Sequence, residues 1–402
     1  MQQRFLSKVA AVGVVGVLAL TGCGNSTKKT TGGGGLTGGT TKTNTADKTY
    51  KVGFQGPLSG DNQQLGINEN NAAMLAVEQA NADKSLGFKL VLVPADDVGA
   101  AATAPAAATS LIQDAAVVGV IGPSFSGATK AVGKTYAAAS MAAISPSATN
   151  PTLTSLGFST FHRIVPSDNV EGTQAADWFA RKKLKKVFVI DDLSDYGKGV
   201  ADTIQRELTV KKVAVIRKGV VATTTDYGAI AQAVASSGAD AVFYGGYDAQ
   251  AGIFAKAIKA TGFKGLTVTG NGGKSSVFTK GAGDAGNGWY FTCGCLDATT
   301  APGAKAFTDA YTAKFKTPPS TYSPEAFDAT NAMIAAIKAA KAKGPVTRQS
   351  VEEAVNGLDY KGITTQVKFE TNGEVVATAQ TVNLYAEKAG VIKLVGNIKD
   401  QM

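Results

Sequence analysis

The sequence predicts an α/β fold in which two parallel β-sheets are each covered by helices on both faces. Short apolar runs form two series, one between residues 51 and 145 and one between residues 186 and 292. Within each series the runs alternate with segments of helical length, which is typical of doubly wound parallel sheets. Two such series in a chain of 402 residues predict two lobes.

The individual elements follow from this alternation. The first series has the strand candidates KVGF (51–54), KLVLV (89–93), VVGVIG (117–122) and AAIS (142–145). Ala-rich segments between them predict helices over residues 66–82, 103–114 and 127–140. The second series has the strand candidates KVFVIDD (186–192), VAVIRKG (213–219), DAVFYGG (240–246), LTVTG (266–270) and WYFT (289–292). Helices fill the gaps here too, and the one over residues 252–262 closes on Gly262, a residue suited to a C-cap.

The tail after the second series carries helical patterns over residues 303–316, 324–343 and 347–357. Strands follow, joined by Asn-Gly at 372–373 and Ala-Gly at 389–390, which indicate turns. We expect this tail to complete the two lobes and not to form a third domain.

The N-terminus is typical of an export signal. A positive start is followed by 12 apolar residues, too few to span a bilayer as a permanent helix. The run ends in Leu-Thr-Gly-Cys, which resembles the signal of a bacterial lipoprotein. We therefore predict a signal peptide over residues 1–22, a lipid anchor on Cys23 and a flexible Gly/Thr-rich tether over residues 23–49. The protein is then expected outside the cytoplasm, anchored to the cell membrane.

Export also bears on the two remaining cysteines, Cys293 and Cys295, because thiols oxidise outside the cytoplasm. A disulfide between them is the favoured interpretation. A metal site would need more ligands, and His162, the only histidine, is distant in sequence. No metal site is predicted.

Charge and motifs argue against a nucleic-acid-binding protein and against an enzyme. Of the net charge of +9, residues 1–50 contribute +5, and no basic helix follows. GPSFSG (122–127) lacks the second glycine of the serine-hydrolase turn, and one histidine is a poor basis for a triad. GAGDAG (281–286) precedes a strand, the reverse of a dinucleotide-binding context. No catalytic residue and no cofactor are predicted.

Hydroxyl side chains follow two neighbouring strands of the first series. Ser126 is predicted to cap the helix near 127, and Asn150 to cap a second helix that begins at Pro151. Ser147 and Thr149 lie in the second loop. Helix N-termini with added hydroxyls attract small anions, and a carboxylate would fit. Plain capping of two helices is the alternative, although it does not explain Ser147 and Thr149.

Six stretches of the chain, taken in order, resemble the type I periplasmic binding proteins of ABC importers, in the leucine/isoleucine/valine-binding subgroup. The resemblance runs from about Lys51 to the C-terminus. The stretches are VGFQGPLSGDNQQLG, VIGPSFSGAT, ISPSATNPTLT, DDLSDYGKG, ADAVFYGGYDAQAG and GAGDAGNGWYFT.

The resemblance implies two α/β lobes joined by three hinge crossings, with a solute held between them. The first lobe would comprise residues 50–167 and 296–376, and the second residues 168–295 and 377–402. Matching by position, the solute's α-carboxylate would be held by Ser126, the backbone of Ser147 and the hydroxyl of Thr149. Four residues are implied elsewhere in the site: Tyr196 and Tyr247 from the second lobe, and Leu65 and Tyr322 in the side-chain pocket.

One departure from the family concerns the ammonium group of an amino acid. The family holds it with a glutamate in a Gly-x-Glu-Gly turn, whereas this chain has GNGG, with Gly272 at that place and Asn271 beside it. Tyrosine faces, Asp97 or Asp248 could hold the amine instead. Otherwise the solute is an amide, a keto acid or an aromatic acid.

The resemblance thus implies a solute-binding lipoprotein and not an enzyme. It would deliver a small carboxylate-bearing ligand, a branched-chain amino acid or a relative of one, to the permease subunits of an ABC transporter. The alternative is a ligand-sensing regulatory binding protein of the same fold, for an amide or an aromatic acid.

Overall fold

A computed structural model of the chain describes residues 48–402. The predicted signal peptide, Cys23 and nearly all of the predicted tether lie outside the described residues. Within residues 48–402, no helix combines the length and the apolar character needed to cross a membrane.

The first sheet has five parallel strands in the order β2-β1-β3-β4-β5. These strands are β1 (Thr49–Gly56), β2 (Lys89–Asp96), β3 (Val117–Ile121), β4 (Ala143–Ser145) and β5 (Phe161–Arg163). The helices that connect the first four of them are α1 (Gln63–Ala82), α2 (Ala104–Gln113) and α3 (Ser126–Ala138). The three predicted helices of this series are therefore confirmed, with ends shifted by a few residues.

The second sheet has seven strands, and its five parallel strands run in the order β10-β9-β8-β6-β7. They are β6 (Lys186–Asp191), β7 (Ala214–Gly219), β8 (Ala241–Gly245), β9 (Leu266–Thr269) and β10 (Tyr290–Cys293). The helices of this half are α4 (Asp168–Arg181), α5 (Asp195–Val210), α6 (Gly228–Ser236), α7 (Asp248–Ala260) and α8 (Ser276–Ala282). The glycine after α7, Gly262, has φ 76°, as expected for a residue that ends a helix.

The C-terminal part packs helices against the first sheet and adds two strands to the second. Helix α10 (Ser323–Lys343) packs against α1 and β3, and α11 (Arg348–Asn356) also contacts β3. In the second sheet β13 (Asn383–Lys388) pairs antiparallel with β10, and β14 (Val391–Asn397) pairs antiparallel with β13 after a turn at Ala389 and Gly390. The elements are α9 (Lys305–Phe315), α10 (Ser323–Lys343), α11 (Arg348–Asn356), β11 (Tyr360–Lys361), β12 (Gln366–Val367), β13 (Asn383–Lys388) and β14 (Val391–Asn397).

The chain passes between the two sheets three times: after β5, after β10 and before β13. Apolar side chains such as Val52, Ile144 and Ile337 form the core beside the first sheet, and Val189 and Phe243 belong to the core beside the second. Both sheets are thus well supported. The proposed lobe boundaries, and any motion of one lobe against the other, stay predictions.

Two predicted helix caps are wrong. Ser126 is the first residue of α3, and Phe125 occupies the N-cap position. No α-helix begins at Pro151; a single 3-10 turn over Leu153–Ser155 follows instead. The carbonyl oxygen of Asn150, which a helix would use, accepts a hydrogen bond from Arg163 Nη1 at 2.8 Å. This tertiary contact favours an irregular loop over a helix start.

Candidate functional site

The two sheets share one topology, and this topology predicts where a ligand binds. In each sheet the first strand of the series lies between the second and the third, so that the connections diverge at the carboxyl ends of the first and third strands. Ligands of doubly wound folds bind at such a switch point. In this molecule the loops at the two switch points, after β1 and β3 and after β6 and β8, contribute to the same cavity.

The cavity brings together every residue predicted to bind ligand except Thr149. It is small: about 10 Å³ is open to a water-sized sphere, roughly the room of one water molecule. A solute as large as an amino acid therefore requires the walls to move apart. The lining residues are Leu65, Ser124, Phe125, Ser126, Ser147, Tyr196, Tyr247, Asn271, Gly272 and Tyr322.

The loop after β3 carries the hydroxyl wall of the cavity. Gly122 has φ 112°, and a Cβ there would lie 2.2 Å from the carbonyl oxygen of Gln55, so this turn requires glycine. Beyond it, Ser126 opens α3, whose first N–H groups have no partner within the helix. Ser126 Oγ accepts a hydrogen bond from Asn150 N at 3.2 Å, and Ser147 Oγ donates to Ser124 O at 2.7 Å. This wall offers hydroxyl and amide groups suited to a carboxylate.

Thr149 lies next to this wall but does not line the cavity. Its side chain is buried, and its Oγ1 has no hydrogen-bond partner among residues 48–402. Its carbonyl oxygen accepts from Asp168 N at 2.8 Å, which ties the loop after β4 to the start of α4. A small movement of this loop would be needed for the hydroxyl to reach a solute.

Aromatic side chains fill the space between the walls. The Phe125 ring stacks on Tyr247, with ring centroids 4.2 Å apart and planes 18° from parallel. Tyr196 lies at 5.3 Å from Tyr247, and its hydroxyl accepts a hydrogen bond from Gly272 N at 3.0 Å. Tyr322 has φ 67°, a strained conformation for a bulky residue, and its hydroxyl is buried without a partner in the described chain. These rings, three of them phenols, make this part of the lining largely aromatic.

Two buried carboxyl groups stand beside the tyrosines. Asp168 and Glu171 occupy the first turn of α4, where the helix dipole favours negative charge. Glu171 accepts hydrogen bonds from Asn271 Nδ2 at 2.6 Å and from Thr292 Oγ1 at 2.8 Å. Neither oxygen of Asp168 makes a hydrogen bond of normal geometry within the part of the chain that the structure describes, although the Thr149 hydroxyl and the Arg163 guanidinium lie near enough to favour its charged form. The carboxyl oxygens of Asp168 are therefore largely unsatisfied within residues 48–402.

The electrostatics of this pair are governed by burial. Loss of solvent raises the pKa of Glu171 to about 7, although hydrogen bonds from Asn271 and Thr292 oppose the rise. Burial, and then the neighbouring Glu171 carboxylate, raise the pKa of Asp168 well above its usual range. The charge of Asp168 in turn helps to raise the pKa of the phenols of Tyr196, Tyr247 and Tyr322. The pair would be stabilised as carboxylates by a positive group placed in the cavity.

The two acidic residues considered from the sequence as amine partners are engaged elsewhere. Asp97 accepts from Gln55 Nε2 at 3.1 Å and from Gly99 N at 2.9 Å. Asp248 accepts from the hydroxyl of Ser275 and from Ala249 N at 2.9 Å. Neither of them lines the cavity. Asp168 and Glu171 do not line the cavity either, but they adjoin the lining residues Tyr196 and Asn271 and are further candidates.

Sequence reasoning missed Ser124, Phe125, Asp168 and Glu171. The signal for the acidic pair was the stretch PSDNVEG (166–172), which follows strand β5 and opens a helix. Strand β5 has only three residues, with sequence Phe-His-Arg, so it has no apolar run to mark it. Without the strand, the carboxyl-end position of the acidic residues was not recognised.

Gly272 has no room for the glutamate that the family carries at this position. A Cβ on Gly272 would lie 2.5 Å from Tyr196 Cε1 and 2.9 Å from the carbonyl oxygen of Gly246. Replacing it with glutamate is therefore expected to disrupt the packing of Tyr196 and not to restore an ammonium site.

The two described cysteines and the histidine do not line the cavity. Cys293 and Cys295 form a disulfide. His162 is buried, its Nε2 lies 3.1 Å from Asn356 Oδ1, and burial lowers its pKa. No cluster of His, Cys, Asp or Glu within residues 48–402 has the arrangement of a metal site.

Comparison with known proteins is consistent with this geometry. A Leu/Ile/Val-binding protein of Rhizobium johnstonii is 30% identical, with 85% of this chain and 92% of the relative covered. A leucine-, isoleucine-, valine-, threonine- and alanine-binding protein of Pseudomonas aeruginosa is 29% identical, with 82% and 88% covered. The branched-chain amino acid transporter substrate binding protein LivJ of Streptococcus pneumoniae, solved with isoleucine, is 28% identical. It superposes with a TM-score of 0.78, covering 87% of this chain and 100% of LivJ.

These relatives are all named as binding proteins, which confirms the prediction that the chain is not an enzyme. The profile of the periplasmic binding protein family matches residues 49–387, nearly the whole of the described chain. The switch-point cavity between two doubly wound sheets is where such a protein would hold its solute. The chain therefore belongs to the periplasmic binding protein family, in the type I group that includes the Leu/Ile/Val-binding proteins.

Proposed function

We propose that this protein binds a branched-chain amino acid in the switch-point cavity and delivers it to an ABC permease from outside the cytoplasm. The relatives named above are Leu/Ile/Val-binding proteins, and the LivJ structure contains isoleucine. The proposal also accounts for the shape of the cavity, with polar groups at two ends and aromatic rings between them.

The observation that carries the proposal is that donors and buried acids both adjoin the cavity. The hydroxyl of Ser126 and the first N–H groups of α3 offer donors, which suit a carboxylate. Asp168 and Glu171, which lie beside the lining residues Tyr196 and Asn271, offer buried carboxyl oxygens, which suit an ammonium group. A zwitterion satisfies both sets of groups at once. A keto acid or an amide satisfies only one set, and would leave the other buried and unpaired.

Asp168 and Glu171 would provide the counter-charge for an ammonium group that Gly272, in place of the family's glutamate, does not. An ammonium group buried without a counter-charge is costly, and this chain lacks the family's glutamate in the turn after β9. Asn271 in that turn instead donates to Glu171 through both its backbone N, at 3.2 Å, and its Nδ2, at 2.6 Å. In this proposal the negative charge is supplied by Glu171 on α4, which lies next to the turn after β9.

Closure of the two halves on the solute is the proposed mechanism of capture. Contacts that would form on closure join the helices following β3 and β6. Lys130 on α3 pairs with Asp195 on α5 at 2.7 Å, and Asn150 Nδ2 donates to Asp195 O at 2.5 Å. Because Lys130 is half exposed, this ion pair contributes little on its own. Binding energy from the solute would supply most of the drive to close.

Calorimetric titration of the protein with isoleucine, its keto acid and its amide tests the proposal. We expect isoleucine to bind at least tenfold more tightly than either analogue, because each analogue leaves one wall unpaired. Binding should also release protons near pH 7, because an ammonium group lowers the pKa of Glu171 from about 7. Equal affinity for the keto acid would contradict the ammonium site.

Anchoring through Cys23 is the second part of the proposal and has its own test. The lipoprotein-like Leu-Thr-Gly-Cys sequence supports it. In cells that process lipoprotein signals, the wild-type protein should sediment with membranes and incorporate labelled palmitate. Cys23→Ala should do neither. Unchanged membrane association of Cys23→Ala would contradict lipid anchoring at this residue.

A further inference from the structure

A third buried carboxyl group, Glu69, lies directly behind the hydroxyl wall of the cavity. Glu69 is on α1, one helical turn after the cavity-lining Leu65, and its side chain is 0% exposed. Ser124 Oγ donates a hydrogen bond to Glu69 Oε2 at 2.5 Å. The other oxygen, Oε1, is buried with no partner among the residues described. Nothing in the proposed capture of a solute has so far used this group.

Glu69 is connected to the cavity through a short chain of hydrogen bonds. Ser124 lies between Glu69 and the cavity, and its backbone N–H donates a hydrogen bond to Gln55 O at 3.1 Å. Its carbonyl oxygen accepts from Ser147 Oγ at 2.7 Å. Ser124 and Ser147 both line the cavity. The positions of Ser124 and Ser147 therefore depend on the hydrogen bond between Ser124 and Glu69.

The surroundings of Glu69 favour its uncharged form. Burial is the main cause, and it raises the pKa of Glu69 to about 8, while the hydroxyls of Ser124 and Ser147 partly oppose the rise. Two further acids add to it: Asp97, at the carboxyl end of β2, and Glu325, in the first turn of α10. The charges that act on Glu69 from the neighbouring elements are thus negative, and they repel a second negative charge.

We infer that Glu69 is a proton-bearing positioning residue of the carboxylate wall. In its neutral form it holds Ser124 and Ser147 in place for a solute carboxylate, and its ionisation weakens solute binding. This inference rests on the proposed function, because it assigns the carboxylate of the solute to that wall.

The physical reason is the sign of the charge. A neutral carboxylic acid accepts the hydrogen bond from Ser124, and so orders this serine and, through it, Ser147, without adding charge. An ionised Glu69 would place a negative group one hydrogen bond behind the site of a negative solute. Like charges in a water-poor site repel strongly. Protonated protein therefore binds the solute, and affinity falls as pH rises through the titration of Glu69.

The first test needs no solute. Thermal unfolding of the unliganded full chain and of Glu69→Gln is followed between pH 5 and pH 9. A carboxyl whose pKa is higher in the folded state stabilises the fold at low pH and loses that effect as pH rises toward 8. We expect wild type to lose several degrees of Tm relative to Glu69→Gln over this range. Parallel curves would show that Glu69 titrates normally and would overturn the inference.

The second test measures the Kd for isoleucine at pH 7 and pH 9 by calorimetry. At each pH the wild-type Kd is divided by the Kd of Glu69→Gln. This ratio should rise about tenfold from pH 7 to pH 9, because the wild-type protein must keep Glu69 protonated in order to bind. Dividing by the variant removes the titration of isoleucine and of other groups. Glu352→Gln is the matched control: Glu352 is also buried, with a pKa raised to about 7, but lies on α11 away from the cavity. Its pH profile should match wild type.

The two tests separate this inference from the proposed function. A ratio that stays constant with pH, with isoleucine binding intact, overturns the role of Glu69 and leaves the proposed function standing. A protein that binds isoleucine at no pH overturns the proposed function, and with it the role assigned to Glu69 in solute binding. Glu69→Ala adds a further check: it should weaken binding at pH 7, where Glu69→Gln retains it. Equal affinities of these two variants would contradict a positioning role.

Discussion

Asp168→Asn is the substitution that bears most directly on how this protein would recognise an amino acid. Asp168 is 0% exposed, and neither of its oxygens makes a hydrogen bond of normal geometry within residues 48–402. Asparagine has nearly the same shape, removes the capacity for negative charge and replaces one carboxyl oxygen with an NH2 donor. Burial already raises the pKa of Asp168 well above its usual range, so the unliganded fold does not rely on that charge. We therefore expect little change in the Tm of the unliganded variant.

The magnitude of the effect on binding follows from the burial of the pair. Removing one partner of a buried charged pair costs about 2–4 kcal/mol. This corresponds to about a 30- to 1,000-fold increase in Kd for isoleucine. Glu171 remains in the variant, but it already accepts from Asn271 and Thr292, so it offsets only part of the loss. The lower half of the range is therefore expected.

Isothermal titration calorimetry at pH 7.5, roughly half a unit above the pKa of Glu171, would measure this effect against two references. The keto acid of isoleucine has no ammonium group, so its affinity should be unchanged or improved in Asp168→Asn. Asp248→Asn is the matched control, because Asp248 is also buried in the first turn of a helix but faces Ser275. Isoleucine should bind Asp248→Asn as it binds wild type. Unchanged isoleucine affinity in Asp168→Asn would refute the ammonium site.

Three further predictions concern the glycine turn, the hydroxyl wall and the fold. Gly272→Ala should weaken isoleucine binding, measured by calorimetry, because the new Cβ would lie 2.5 Å from Tyr196. Unaltered affinity would show that the turn can shift to make room for the Cβ without affecting the site. Ser126→Ala combined with Thr149→Ala should abolish binding with almost no change in the unliganded Tm, and retained affinity would count against the carboxylate wall. Wild-type Tm should fall between about pH 5 and pH 8, because burial raises the pKa of Glu69 to about 8 and that of Glu171 to about 7. Buried His162, with its lowered pKa, opposes this trend only below about pH 6.5, and a Tm that rises up to pH 8 would contradict the burial of these carboxyls.

The sequence predicts the two sheets well because their central strands are buried on both faces. Strands β3 and β8 are fully buried over their whole length, and each therefore appears as an unbroken apolar run. The strand candidates 117–122 and 240–246 match these strands to within a residue or so at each end. The parallel direction of the strands follows from their alternation with helices. The positions of the loops at the carboxyl ends, and of most residues around the cavity, follow in turn.

Strand β5 shows where this reasoning fails. Its third residue, Arg163, is a charged residue with 0% exposure, held by Glu374 and by the carbonyl oxygens of Ala148 and Asn150. Glu374 is more than 200 residues away in sequence, so no local sequence pattern indicates that it pairs with Arg163. A polar strand stabilised by distant contacts therefore looks like a loop. The acidic pair that follows it was missed for the same reason.

In the loop after β4 the sequence predicts a helix that does not form, because tertiary contacts override a strong local signal. Asn150 followed by Pro151 is a typical helix start, and Asn150 Oδ1 does accept from Thr152 N at 2.8 Å. Arg163 nevertheless holds the carbonyl oxygens on either side of Thr149. The capping hydrogen bond survives, but the helix does not form. Tertiary contacts decided the conformation of this loop.

The central claim is that a zwitterionic solute lies between the hydroxyl wall and the acidic pair on α4. A crystal structure of the protein grown with isoleucine measures this directly. We expect the solute carboxylate within hydrogen-bond distance of Ser126 and the loop of Ser147, and its ammonium group within such a distance of Asp168 or Glu171. Isoleucine bound outside this cavity, or bound in it with its ammonium group directed away from both carboxyl groups, would contradict the account.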